Sequence, residues 1–217
     1  MTARRTMAAL AAGAAAGLLV VRPWLAHWGA TAAERRAPMP GDDIVPRAHF
    51  RATRAITIGV PPKEVWPWLV QMGGHPRAGW YSYDRIGNAG RPSADHIIPD
   101  LQHLHAGDVM PIAPDGSGFV VERIDAPNVL VLAVRAYEGT VSCCVTLREH
   151  GGGARLVIRV RVLARPTLRG LAFLSLMELG DFVMMRKQLL TIKARAEGTP
   201  HGAGSGRGSV RRLAQSP

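Results

Sequence analysis

Glu178 and Asp181 stand three residues apart in an apolar stretch, a spacing that puts both carboxylates on one face of a helix. On a face lining a cavity they would act as general acid and base, or hold the polar head of a ligand. At a helix edge they would face water or pair with strand arginines such as Arg159, which is the plainer reading. A second group, Trp80, Tyr81, Tyr83 and Asp84, places three aromatic rings and a carboxylate close together in the chain. Aromatic bodies with polar tips suit the mouth of a ligand site, and they equally suit a short helix packed on a sheet. Gln71, just before Gly73-Gly74, either offers a polar contact inward or caps the end of a helix. The candidate catalytic residues are therefore Asp84, Glu178 and Asp181.

Other chemistries lack their residues. His103-x-His105 has no HExxH and no cysteine nearby, so it reads as a solvated loop even with Asp100 and Asp108 close by; neither a metal nor a cofactor is expected. There is no Gly-x-Ser-x-Gly elbow to anchor an acyl-transfer triad, and neither a phosphate-binding loop nor a dinucleotide fingerprint. Gly151-Gly152-Gly153 falls in a hairpin. Cys143 and Cys144 are adjacent, so on a strand they point to opposite faces and make neither an ordinary disulfide nor a metal pair.

The elements that must position these residues follow from hydrophobic spacing. Residues 52–60 alternate into Ile56, Ile58 and Val60 and stop at Pro61-Pro62, which predicts a strand. Pro62 then opens a helix with Val65, Trp66, Leu69, Val70 and Met72 on its buried side. A short helix is expected near Asp84, ending about Gly87-Asn88. Short alternating strands follow at 109–112, 118–124, 129–137, 140–149 and 155–163, separated by turn signals, and predict an antiparallel meander. In the last of them Leu156, Ile158, Val160 and Val162 face one way and Arg155, Arg159 and Arg161 the other, so one face is expected covered and one wet. Residues 168–197 read as one helix about 45 Å long, amphipathic in its second half through Phe182, Met185, Leu189 and Ile192.

The order strand, helix, short helix, antiparallel strands, long C-terminal helix is that of the helix-grip fold. The residues 56–58, 61–73 (Pro-Pro-Lys-Glu-Val-Trp-Pro-Trp-Leu-Val-Gln-Met-Gly), 78–84 (Ala-Gly-Trp-Tyr-Ser-Tyr-Asp) and Gly107-Asp108 resemble the START-like (SRPBCC, polyketide cyclase/dehydrase) superfamily. The resemblance covers residues 44–196, in specific motifs at the front and only in pattern over the strands. It implies an α+β fold in which a curved antiparallel sheet wraps the long C-terminal helix around a mostly apolar cavity. Such cavities hold lipids, sterols, polyketides or other hydrophobic molecules. A helix apolar on most sides and carrying Met177, Met184 and Met185 suits an adaptable, partly unfilled interior. The expected ligand-binding set is Gln71, Trp80, Tyr81, Tyr83, Asp84, Met177, Glu178, Asp181 and Met184. Because a fold does not determine function, three readings stand. They are a module binding or transporting a hydrophobic small molecule or lipid, a cyclase, dehydratase or aromatase acting on a cavity-bound substrate, and a structural or interaction domain with no working cavity.

The remaining segments place the domain. Residues 7–21 are an unbroken apolar run behind Arg4-Arg5, at about 22 Å shorter than a bilayer's roughly 30 Å core. Arg22, Trp24 and Trp28 extend the effective span, which favours a retained membrane anchor over a cleaved signal ending near Ala30-Thr31-Ala32. The expected organisation is a hydrophobic N-terminal helix in 1–29, an extended linker over 30–49, the helix-grip domain over 50–197 and a disordered tail over 198–217. The net charge of +11 divides into +3 before residue 51, +3 after 197 and only +5 between them, without a basic run interleaved with aromatics. Nucleic acid is therefore not an expected partner, and anionic lipid headgroups suit the Arg-bearing flanks better.

Overall fold

The computed structural model describes residues 23–198 together with Gly13, Gly17 and Val21, with 176–179 described as helix backbone only. Of the expected anchor, Gly13, Gly17 and Val21, which are helical, and residues 23–29, helical over 23–26, are described; the rest of it, and the expected tail apart from Gly198, lie outside the described residues. In chain order the named elements are α1 (Ala32–Arg36), β1 (Phe50–Ile58), α2 (Pro62–Val70), α3 (Asp84–Gly87), a 3-10 turn (Pro99–Leu101), β2 (Val109–Pro111), β3 (Gly118–Asp125), β4 (Val129–Ala136), β5 (Gly139–His150), β6 (Gly153–Ala164) and α4 (Leu168–Gly198). The strands form one curved antiparallel sheet in the order β1-β6-β5-β4-β3-β2, a meander whose last strand takes β1 as its outer neighbour. This is a helix-grip-like α+β architecture, with a short second helix and a long C-terminal helix where the hydrophobic spacing puts them.

Alternation along the strands divides the side chains between two faces. The inner face carries Ile58, Leu130, Leu132, Val145, Leu147, Leu156 and Ile158, all buried. Against it pack Leu189, Ile192 and Ala196 of α4 and Val65, Trp68 and Leu69 of α2. The second half of α4 is thus the core-facing helix that its spacing predicts.

The outer face differs from expectation. It is not wet, and residues 30–49 are not an extended linker: they are folded onto it. Met39, Ala55, Val131, Cys144 and Val157 form a second buried cluster there, with Ala30, Ile44 and Val129 packed beside it. The arginines of β6 fasten the segment down. Arg155 grips Glu34 with two bonds of 2.7 and 2.9 Å and donates to the Gly29 carbonyl at 2.7 Å. Arg159, 2% exposed, donates to Thr53 Oγ1, to Asp42, and to the carbonyls of Glu34, Arg35 and Ala37. Arg161 donates to the carbonyls of Val45 and Pro46. A segment without apolar periodicity is held in place because strand guanidiniums meet the carbonyl groups that its burial would otherwise leave unpaired. A capping box between Thr31 and Glu34 starts α1 within it.

This clasp has a pH signature. The Arg155 guanidinium holds the Glu34 carboxyl down to about 2 from its ordinary 4.5. A depressed carboxylate stabilises the folded state fully above the ordinary value, and that contribution falls away as pH drops from 4.5 towards 2. Urea unfolding at pH 5 and pH 3 is expected to show a smaller acid loss for Glu34→Gln than for the unaltered protein. An equal loss in the two would mean that Glu34 contributes nothing to acid sensitivity.

Candidate functional site

The first turn of α4 and the end of β6 leave a groove between them. It has a volume of about 450 Å³ and is lined by His49, Ala164, Arg165, Pro166, Thr167, Leu168, Gly170, Leu171 and Leu174. Its position follows from the chain's path. β6 ends at Ala164, the loop through Pro166 and Thr167 turns the chain, and α4 starts with leucines that have no sheet beneath them. Leu168 is 88% exposed and Leu171 61%. The groove walls are mostly apolar, and the nearby polar groups are the His49 ring, which accepts from the Ala164 amide at 3.2 Å, and the Arg165 guanidinium.

Asp181 lies on the helical face that carries Leu171 and Leu174, about 10 Å along the helix axis from Leu174. It does not face solvent and does not pair with Arg159; its partner is Arg54 of β1. Arg54 occupies the inward register of that strand, between Ala52 and Ile56, and is 1% exposed. Its Nε donates to the Leu25 carbonyl at 2.9 Å, its guanidinium lies 5.7 Å from the Phe182 ring, and its Nη2 is buried with no hydrogen-bond partner among the described residues. Burial pushes the Asp181 carboxyl above its ordinary range, and Arg54 draws it back. Burial also raises the Cys143 thiol, with the Asp181 charge adding to the effect. The pair is a buried polar island between sheet and helix. The sequence signal for it was an arginine at an inward position of an otherwise apolar alternation.

The other predicted residues are placed as follows. Gln71, at the end of α2, is fully buried and donates to Tyr81 Oη at 2.7 Å and to the His96 carbonyl, while its Oε1 accepts from the Ile98 amide and from Gln102. Tyr81 adopts φ 55°, a left-handed conformation unusual for a tyrosine; burial pushes its hydroxyl up to about 12, and the Arg195 guanidinium sits 4.5 Å from its ring. Trp80 donates to the Pro111 carbonyl at 3.0 Å and packs edge-on against Phe119. Asp84 accepts from Ser93 Oγ at 2.5 Å and from its amide at 3.1 Å. Gly79 makes this closure possible: at φ 87° its α-carbon passes so close to Ser93 that a Cβ would lie 2.3 Å from the hydroxyl. Tyr83 is 44% exposed, and Met184, half-buried, accepts from Ser82 Oγ through its carbonyl. Met177 and Glu178 are on α4, with side chains outside the described residues.

Gln71, Tyr81 and Asp84 are thus brought together in one internal network, because Ser93 Oγ, which donates to Asp84, also accepts from the Tyr81 amide at 3.2 Å. Among the described residues this network shares no partner with the Arg54–Asp181 pair. The groove residues His49, Ala164, Leu168, Leu171 and Leu174 are not in the predicted set. Among the described residues no group of three or more His, Cys, Asp or Glu could hold a metal ion.

No family model matches the chain, and no curated protein matches it. Similar solved structures include protein NE0264 from Nitrosomonas europaea, 11% identical over 74% of this chain and 98% of that one, with a TM-score of 0.45. Protein CV1439 from Chromobacterium violaceum is 13% identical over 68% of this chain and 96% of that one, TM-score 0.40. Protein Ms6760 from Mycobacterium smegmatis is 16% identical over 70% and 93%, TM-score 0.40. At these values the likenesses bear on neither family nor function.

Proposed function

We propose that the chain is a START-like (SRPBCC) module that binds a hydrophobic small molecule or lipid close to a membrane. The observation that carries this reading is the groove at the start of α4. Its volume of about 450 Å³ lies inside the range of roughly 300–1,000 Å³ of small-molecule sites. Its walls are largely aliphatic, and its rim leucines are left in water. Asp84 and Asp181, two of the three candidate acids, are engaged by Ser93 and Arg54, which favours binding over acid–base chemistry.

Ala164→Phe tests the reading, because Ala164 is buried at the floor of the groove and a phenyl ring there fills it while leaving Leu168 and Leu171 in place. Full-length protein purified in mild detergent is expected to release a near-stoichiometric apolar molecule on solvent extraction, read by mass spectrometry. The variant, folded by circular dichroism, is expected to carry several-fold less. Extraction of no such molecule from the unaltered protein, or equal amounts from both, would remove the support for a cargo site.

A further inference from the structure

The end of the molecule around the groove exposes more apolar surface than the groove accounts for. Tyr137, at the tip of the β4–β5 hairpin, is 69% exposed, and Leu163 of β6 is 38% exposed; Leu168 and Leu171 of α4 complete the patch. Exposed apolar side chains gathered at one end of a molecule mark an interaction surface. Its charge is one-sided: Arg47, Arg51, Arg165 and Arg169 are all exposed near it, against the half-buried Glu138. The Arg165 guanidinium stacks 4.2 Å from the Tyr137 ring, so a cation and an amphipathic aromatic are presented together.

Two ring contacts give this end a direction. Trp24 packs against Phe182 at 5.5 Å, and the Arg186 guanidinium lies 5.3 Å from the Trp28 ring. Four residues on in one segment thus match four residues on in the other. Residues 24–28 therefore run in the same direction as α4, and the chain enters them from the Leu168 end. The apolar run 7–21 precedes that entry. Among the described residues no helix is long and apolar enough to cross a membrane.

We propose that Tyr137, Leu163, Leu168 and Leu171, with Arg165 and Arg169, form a docking surface for a lipid bilayer with anionic headgroups. The leucines enter the acyl boundary and the guanidiniums meet the phosphates. The groove then opens onto the bilayer. This rests on the reading of the chain as a module working close to lipid.

The test uses the full chain reconstituted in phosphatidylcholine–phosphatidylglycerol vesicles, with an environment-sensitive fluorophore on Tyr137→Cys, on Leu168→Cys, or on His150→Cys, exposed at the β5–β6 turn at the opposite end of the strands. Burial holds the thiols of Cys143 and Cys144 protonated, so labelling goes to the introduced residue. Labels at 137 and 168 are expected to shift to the blue, to be several-fold protected from iodide, and to be quenched by spin labels on the acyl chains, while the label at 150 stays accessible. Arg165→Gln with Arg169→Gln is expected to lose most of that protection. Labels at 137 and 168 as accessible as the one at 150, on protein that still floats with the vesicles, would overturn the proposal. So would shielding already complete in detergent with cross-links between copies, which would assign the surface to a second copy of the chain. Tyr137 lies outside the groove, so this readout is independent of the Ala164→Phe comparison, and either reading can fail alone.

Discussion

Asp181→Leu is expected to lower the unfolding free energy by about 3–5 kcal/mol, and Arg54→Met added to it is expected to restore most of that loss. Arg54 is 1% exposed and one of its terminal nitrogens lacks a partner among the described residues, so removing the carboxylate bonded to it leaves a full charge in an apolar interior. Replacing both members with apolar groups of similar volume removes the charge and the need for a partner together. Urea unfolding of the two variants, compared at one temperature, reads the difference. A single variant within about 0.5 kcal/mol of the unaltered protein, the range of ordinary surface changes, would show that Arg54 reaches water or another acceptor. An unrestored double variant would show that the island does more than neutralise itself.

Arg159→Leu is expected to cost about 3 kcal/mol and to release residues 30–46 from the sheet. The side chain meets Thr53, Asp42 and three carbonyl groups, and leucine can replace none of those bonds. The penalty stays below that of Asp181→Leu because Asp42 is partly exposed and can turn to water. The released segment contains Arg35 and Arg36, so limited trypsin digestion is expected to cut there rapidly in the variant and slowly in the unaltered protein. Equal cutting rates would mean that Arg155 and Arg161 hold the segment without help.

The fold was legible wherever one period decided the outcome. The alternation of Ile56, Ile58 and Val60, the turn pairs between the later strands and the helical spacing of Met185, Leu189 and Ile192 each point to the element observed. What was not legible depends on partners far away in the chain. Arg155, Arg159 and Arg161 alternate like a solvated face, and nothing local shows that residues 29–46 return to cover them. The same limit applies to the site. Gln71, Tyr81 and Asp84 look available as residue types, yet each is occupied by a neighbour that only the folded chain supplies: His96 and Gln102 for the first, Arg195 for the second, Ser93 for the third. Spacing set Asp181 on the face of Leu171 and Leu174 and favoured water or Arg159 as its surroundings; Arg54 had a visible signature in its register, but their meeting across 127 residues had none.

The clasp over residues 29–46 also sets how far the domain can travel. With Arg155 on the Gly29 carbonyl, Arg54 on that of Leu25 and Trp24 against Phe182, the described chain has no slack between residue 24 and the sheet. Were the apolar run 7–21 embedded in a bilayer, the domain would turn with its root and could not swing out on a leash to meet a second membrane. Such a module would load and unload its cargo in place, and any carrier that collects the cargo would have to come to it.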